Sequence, residues 1–338
     1  MRVCHWNVAR KGSGPVGTAK YEEMLFREMS NSSNIILTQI KRNKKGVRGS
    51  MPLSWFFRYR HGDERIVHAT FQTVAPAALI HRPEKLVVTV HDLAPLIYTS
   101  EVRDFSLRLQ WSLTPRALRA ADQIIAISQF TKNEITRILD IPESKIRVVH
   151  QGVDHELYQP CPKEQARERL GLDEGTLYIL IVSSGLEHKR VGKVKPIIEC
   201  VREEYPEAKI LKAGYGEKLS GEHINNTGWI SEEDMPYLYS AADVYLHPSE
   251  YEGFGLPVLE AMACGTPVVA RDVASIPEII GDTADLVPHD ASVQTFADRI
   301  VKQMQRNQPL PELIDRSHEF SWKKTGVETK EVYKSVME

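Results

Sequence analysis

The chain has 338 residues, 42% of them hydrophobic and 26% charged, with a formal net charge of −2. At roughly 150 residues per domain this length calls for two cores, and the composition excludes a disordered, collagenous or disulfide-stapled chain. The near-neutral total hides a split: residues 1–160 hold 23 Lys and Arg against 15 Asp and Glu, a net of +8, and residues 161–338 carry a net of −10.

In chain order, Val3–Val8 reads as a strand, followed by a Gly-rich turn and a helix from about Thr18 to Ser30. Strands follow at Ile35–Ile40, Arg65–Ala69, Lys85–Val90, Gln123–Ile127 and Ile146–Val149, with a helical stretch at Thr131–Leu139. The pattern thins at Tyr158–Pro162, where two prolines mark a linker. It restarts at Leu177–Ser183, a continuous apolar run of the kind buried on both faces of a sheet. Ala208–Ala213, Asp243–His247, Pro267–Ala270 and Ala284–Val287 repeat the theme, and Ser321–Met337 is helical. Strands alternating with helices predict an α/β protein of two doubly wound parallel sheets, with ligands bound at the C-terminal strand ends. The expected domains are 1–160 and 161–320, with a C-terminal helix over 321–338 returning to the first.

No apolar run approaches the roughly 18 residues that span a bilayer. The opening MRVCHWNVARKGSG lacks a secretory apolar core. Cys4, Cys161, Cys200 and Cys264 form no C-x-x-C pair, so reduced thiols in a cytoplasmic protein are expected. The histidines form no metal-ligand spacing, and no metal is expected.

Two Gly-rich loops are phosphate-cradle candidates. The first, Gly12-Ser13-Gly14-Pro15-Val16-Gly17, is a literal G-x-G-x-x-G between strand and helix. The next strand closes on Gln39-Ile40-Lys41-Arg42 without the carboxylate that holds a ribose in NAD enzymes. Three readings stand: an NADP site using Lys41 and Arg42, a plain connecting turn, or a turn that brings backbone close to a ligand phosphate or sugar. The second loop runs from His247 through Glu252-Gly253-Phe254-Gly255-Leu256-Pro257 to Glu260. A strand ends there, Pro257 suits the first turn of a helix, and Gly265 suits its end. The N–H groups near Gly255–Val258 are expected to stand open as an anion site. Glu252 and Glu260 are expected to face one pocket. Two glutamates near a helix start also occur as surface charges that complement the dipole.

The segment ADVYLHPSEYEGFGLPVLEAMACGTPVVA (Ala242–Ala270) resembles the E-x7-E hallmark of glycosyltransferase family 4. Those enzymes are retaining, nucleotide-sugar-dependent transferases of the GT-B fold, in which two Rossmann-like domains face each other across a cleft. VTVHDLAP (Val88–Pro95) is similar to the acceptor-site motif of its mannosyltransferase-like members, and ADQIIAISQFTKNEI and KIRVVHQGVD occupy the expected order. The resemblance implies a role for each matching position. Glu260 would bind the donor ribose, Gly253, Phe254, Gly255 and Leu256 the diphosphate, and Glu252 the sugar near the reacting carbon. Lys189 and Arg190 would neutralise the leaving diphosphate, Gly228 and Ile230 would read the nucleobase, and His91 would sit beside the transferred sugar and the acceptor. The Gly14–Gly17 turn would approach the phosphate from the first domain. Ser184 stands where the family often has an arginine, and His150-Gln151 replaces its usual Pro-Asn, a difference read as surface variation.

The resemblance thus implies a hexosyltransferase that moves a sugar, with mannose favoured by HDLAP, from a GDP- or UDP-linked donor to a glycan or lipid-linked acceptor. No D-x-D occurs in the chain, which disfavours the metal-dependent transferase architecture. Lys41, Arg42, Lys44, Lys45, Arg48, Arg58 and Arg60 lie without an acid beside Trp55, Phe56, Phe57 and Tyr59. That composition suits an anionic membrane surface at the inner face, or a loop with a core-packed aromatic cluster. Single-stranded nucleic acid fits the same composition, but no nucleic-acid partner is expected. The alternatives are an NADP-dependent oxidoreductase built on Gly12–Gly17 and a non-catalytic sugar-nucleotide-binding protein.

Overall fold

The computed structural model describes residues 1–10, 17–31, 34–42, 59–101, 105–183, 186–214, 218–306 and 308–338. It divides into two compact units, Met1–Gly152 with Trp322–Glu338, and Val153–Ser321.

In the first unit the order is β1 (Arg2–Arg10), α1 (Gly17–Ser30), β2 (Ile36–Arg42), β3 (Ile66–Ala69), β4 (Lys85–Val90), α2 (Ala94–Ile97), α3 (Phe105–Ala120), β5 (Gln123–Ala126), α4 (Gln129–Leu139) and β6 (Ile146–Val148). These six strands form one parallel sheet ordered β2-β1-β3-β4-β5-β6. Five of the six residues of β4, KLVVTV, are buried, as a central parallel strand covered on both faces requires. The Ser128 hydroxyl accepts from Thr131 N–H at 3.0 Å and starts α4, and Asp140 in the left-handed region ends it. The core gathers Trp6, Val67, Val88, Trp111, Leu118 and Ile124.

In the second unit α5 (Lys163–Leu170) leads into β7 (Tyr178–Val182), α6 (Val194–Glu204), β8 (Lys209–Ala213), β9 (Ile224–Gly228), α7 (Met235–Ala241), β10 (Val244–His247) and α8 (Leu256–Ala263). β11 (Val268–Arg271), α9 (Ile276–Ile280), β12 (Asp285–Val287), α10 (Val293–Met304) and α11 (Pro311–Ser317) complete it. Its parallel sheet is ordered β12-β11-β10-β7-β8-β9. β9, INNTG, is a half-buried edge strand whose two asparagines and threonine gave no strand signal in the sequence.

The final helix, α12 (Trp322–Ser335), belongs to the first unit and lies against α1. A Cβ at Gly326 would stand 2.9 Å from Glu28 Cβ, so the close helix approach requires glycine there. The Tyr333 hydroxyl ties α12 to the sheet, 2.9 Å from His5 Nε2 and 2.6 Å from His68 Nδ1. Among the described residues no helix is long and apolar enough to cross a membrane.

Candidate functional site

Strand order reverses between β7 and β10 in the second sheet, so the loops after those two strands diverge and leave a crevice at their carboxyl ends. Lys189 and Arg190 come from the first loop, and Glu250 and Glu252 from the second. The Lys189 ammonium donates to both Glu252 oxygens at 2.6 Å. Arg190 Nε lies 2.6 Å from a Glu250 oxygen, and Glu250 N–H donates to the His188 carbonyl at 2.9 Å. Three contacts thus join the two loops across the switch point.

Glu252 is buried. His247 Nε2, at the end of β10, stands 3.0 Å from its Oε1, and the Tyr245 hydroxyl bonds His247 Nδ1 at 3.0 Å. Although burial opposes ionisation, the Lys189 ammonium and the His247 ring hold the Glu252 carboxyl well below the usual carboxylate range. Glu260, also buried, lies on α8 and accepts from the Tyr239 hydroxyl at 2.8 Å. Burial and the Glu260 charge push Tyr239 far above the ordinary phenol range, so it remains a neutral donor. The Tyr239 and Tyr245 rings meet edge to face at 5.7 Å, and Tyr245 feels both carboxylates.

The intervening loop is held from outside. The Ser275 hydroxyl donates to the Phe254 carbonyl at 2.6 Å and approaches the Glu252 carbonyl at 3.0 Å. Gly255 has φ +109°, and a Cβ there would lie 2.8 Å from Ile276 Cδ1, so only glycine turns the chain into α8. The expectation of open N–H groups through Val258 is corrected. Val258 and Leu259 N–H both donate to the Gly255 carbonyl, and Pro257 has no N–H. Gly228 closes β9 with φ +71° and open space beside its Cα, its carbonyl accepts from Gly214 N–H at 2.8 Å, and Ile230 is half-buried two residues on, beyond the exposed Trp229.

In the first unit the reversal falls between β1 and β3. Gly17 is exposed at the start of α1, while Gly14 lies outside the described residues, as do Ser184 and most of the 41–60 stretch. Tyr59, the last aromatic of that stretch, is a core residue whose hydroxyl donates to the Asn7 carbonyl at 2.6 Å. His91 follows β4 and is buried, and its ring is fully engaged: Nε2 lies 2.9 Å from the Thr70 carbonyl and Nδ1 lies 3.3 Å from Gln151 Nε2. Its own N–H donates to Gln72 Oε1 at 3.1 Å. Burial pulls the His91 imidazole down to about 4. Gln151 is therefore no surface variation: it is 3% exposed and touches His91.

The sequence reading missed His247, Tyr245, Tyr239, Glu250 and Ser275, and in the first unit Glu22. The Glu22 carboxylate accepts from Val8 N–H at 2.6 Å and from the Thr70 hydroxyl at 2.9 Å. His247 and Glu250 lie at or just past the end of β10, but Tyr239 and Glu22 sit inside helices, where no local signal marks them.

A family model described as glycosyl transferases group 1 matches residues 162–319, and one described as glycosyltransferase family 4 matches residues 40–157. The chain is 28% identical over 277 residues to O-antigen chain mannosyltransferase B of Escherichia coli, covering 76% of this chain and 72% of that protein. It is 27% identical to the serotype-specific mannosyltransferase WbdA of Escherichia coli, but spans only 32% of that protein's length, with 72% of this chain covered. Among solved structures, sucrose-phosphate synthase from Thermosynechococcus elongatus superposes with a TM-score of 0.76 at 18% identity, covering 99% of both chains. Anabaena HepE in complex with UDP-glucose gives 0.75 at 19% identity, covering 99% of this chain and all of that one. Fold and strand-end sites define a GT-B protein. The chain belongs to glycosyltransferase family 4 and is a hexosyltransferase.

Proposed function

We propose that this enzyme moves mannose from a nucleoside-diphosphate donor to a hydroxyl of a glycan or lipid-linked acceptor, with retention and without a metal ion. The observation that carries the reading is the part-buried Lys189–Glu252 pair at the switch point of the second sheet, where doubly wound folds bind nucleotides. The names of the mannosyltransferase relatives favour mannose, and hence GDP-mannose. The UDP-glucose complex of HepE makes UDP-sugars the second choice.

The roles divide by unit. In the second, Glu260 takes the ribose, the Gly253–Leu256 backbone the diphosphate, and Gly228 and Ile230 the base. Lys189 and Arg190 face the departing phosphates, and Glu252, near the reacting carbon of the sugar, holds Lys189 in place. In the first, His91 serves the sugar and acceptor, and Gly14 and Gly17 approach the phosphate. In the transfer the bond from the anomeric carbon to the phosphate oxygen breaks and the acceptor oxygen bonds that carbon. The acceptor proton ends on the leaving diphosphate. Preorganised donors at such a charge are worth roughly 2.7–4 kcal/mol each, and the absence of a D-x-D in the sequence supports a metal-independent route.

A thermal-shift panel of GDP, UDP, ADP and NADP tests the reading, since ligand at 100 times Kd stabilises by about 2.7 kcal/mol. GDP or UDP should shift the melt and NADP should not. A shift with NADP alone would return the oxidoreductase reading. Docking of residues 41–60 on an anionic membrane is part of the proposal. Equal co-sedimentation with neutral and anionic vesicles at low salt would remove it.

A further inference from the structure

We propose that Gln151 is a positioning residue that holds His91 as the neutral, Nε2-protonated tautomer. The inference rests on the reading above that His91 serves the transferred sugar.

The donors and acceptors around the ring dictate where its proton sits. A backbone carbonyl only accepts, so the His91 nitrogen 2.9 Å from the Thr70 oxygen carries a proton. The amide nitrogen of Gln151 only donates, so Nδ1, at 3.3 Å, presents its lone pair. Both demands are met by one form of the ring, the neutral one. The remaining surroundings agree. Tyr21 of α1 meets the ring edge-on at 4.7 Å and Phe71 lies 5.1 Å away. His68 of β3 is the other titratable neighbour, itself held neutral by burial. Asp92 turns its carboxylate to Ala94 N–H at 3.0 Å.

Gln72 completes the frame. It accepts from His91 N–H and donates to the Asp92 carbonyl at 3.0 Å, fixing the turn that carries the ring. Gln151 differs from Gln72 in one respect: its Oε1 is buried with no hydrogen-bond partner among the described residues. Leaving a buried acceptor unmet is costly, so the amide is oriented for His91 at the expense of its own oxygen. That oxygen is also what would accept a proton on Nδ1 if the amide turned over.

The consequence is electrostatic. As the diphosphate leaves, positive charge builds on the sugar ring in an oxocarbenium-like transition state. An imidazolium beside it, in a buried setting of low dielectric, opposes that charge, and a neutral ring does not.

The test is Gln151→Glu, with Gln151→Asn and Gln151→Met as companions, in the full-length enzyme. Nitrogen-15 NMR of labelled histidines reads both ring nitrogens, with His91 assigned by the signal lost in His91→Phe. The wild type should show one protonated and one bare nitrogen. Gln151→Glu places a carboxylate on Nδ1 and should protonate both, with kcat falling at least about tenfold while KM changes less than about threefold. Gln151→Asn should keep the neutral tautomer and recover most of kcat; Gln151→Met, folded by its thermal melt, should not. A bare Nδ1 in Gln151→Glu, or a wild-type ring already protonated at both nitrogens, overturns the proposal. Double protonation with unchanged kcat overturns its catalytic half and, with it, the place given to His91. A wild type that shows the neutral tautomer but transfers no sugar contradicts the transferase reading and leaves the tautomer assignment standing.

Discussion

The strand ends of the two sheets are built from different chemistry. In the first unit His91, Thr70, Gln72 and Gln151 form a neutral network in which Gln151 Oε1 alone goes unmet, and the buried Glu22 carboxylate beside Thr70 is met by a backbone N–H and a hydroxyl. In the second, Lys189 faces Glu252, Arg190 faces Glu250 and Glu260 accepts a hydrogen bond from the Tyr239 hydroxyl. One fold, used twice, thus offers hydroxyl-like partners at one switch point and formal charge at the other. That division is the one the proposed roles require, with a neutral sugar or acceptor assigned to one unit and a diphosphate to the other.

The largest effect that would break this contrast comes from Lys189→Met. It leaves Glu252 buried without its ammonium, so stability should fall by about 3 kcal/mol and transfer by at least about 10²-fold. Calorimetry and steady-state rates check both, and unchanged values would mean that the pair is incidental.

Next, the two units should respond differently to acid. His5 and His91 are pulled by burial to about 3 and about 4, and His68 is lowered in the same way. Unfolded histidines titrate near 6.5, so the unfolded chain binds protons first. The first unit therefore keeps this stability above pH 6.5 and loses it as pH falls below, by roughly 3 kcal/mol for His91 alone. The lowered Glu252 carboxyl works in the other window, its contribution lost only below the ordinary value of 4.5. Hydrogen exchange between pH 7 and 5 should weaken protection in β1, β3 and β4 before β7 and β10. Uniform loss would erase the contrast.

Glu260→Ala should raise donor KM about tenfold with a smaller change in kcat, as expected for a charged hydrogen bond present before and during transfer. Gly255→Ala should lower stability by about 1–2 kcal/mol through the strained φ alone. The smallest stability change, within about 1 kcal/mol, belongs to Arg190→Ala, because its pair with Glu250 is part-exposed.

Much of this organisation could be read before the structure, and its gaps have physical causes. β4 fell on its predicted bounds because KLVVTV is apolar on both faces. β9 went unseen because an edge strand can be polar, and INNTG carries no periodicity. The Glu252–Glu260 segment was legible because turn glycine, helix-starting proline and strand end are local signals. The partners were not: Lys189 reaches Glu252 only through the pairing of β7 with β10, 63 residues apart in sequence. Gln151 was misread for the same reason. Its contact with His91 depends on β4, β5 and β6 lying side by side, which no local pattern reports. The open N–H groups assigned to Gly255–Val258 failed at its end, on a detail of the first helical turn: Pro257 has no N–H, and the Gly255 carbonyl takes that of Val258.

The most direct measurement is proton NMR of the enzyme with GDP-mannose and, in parallel, UDP-glucose, following the anomeric proton and the released nucleoside diphosphate. One donor should be consumed, its sugar should leave with the α configuration retained, and Lys189→Met should abolish the signal. A donor that is neither bound nor turned over, or a product of inverted configuration, would contradict the account.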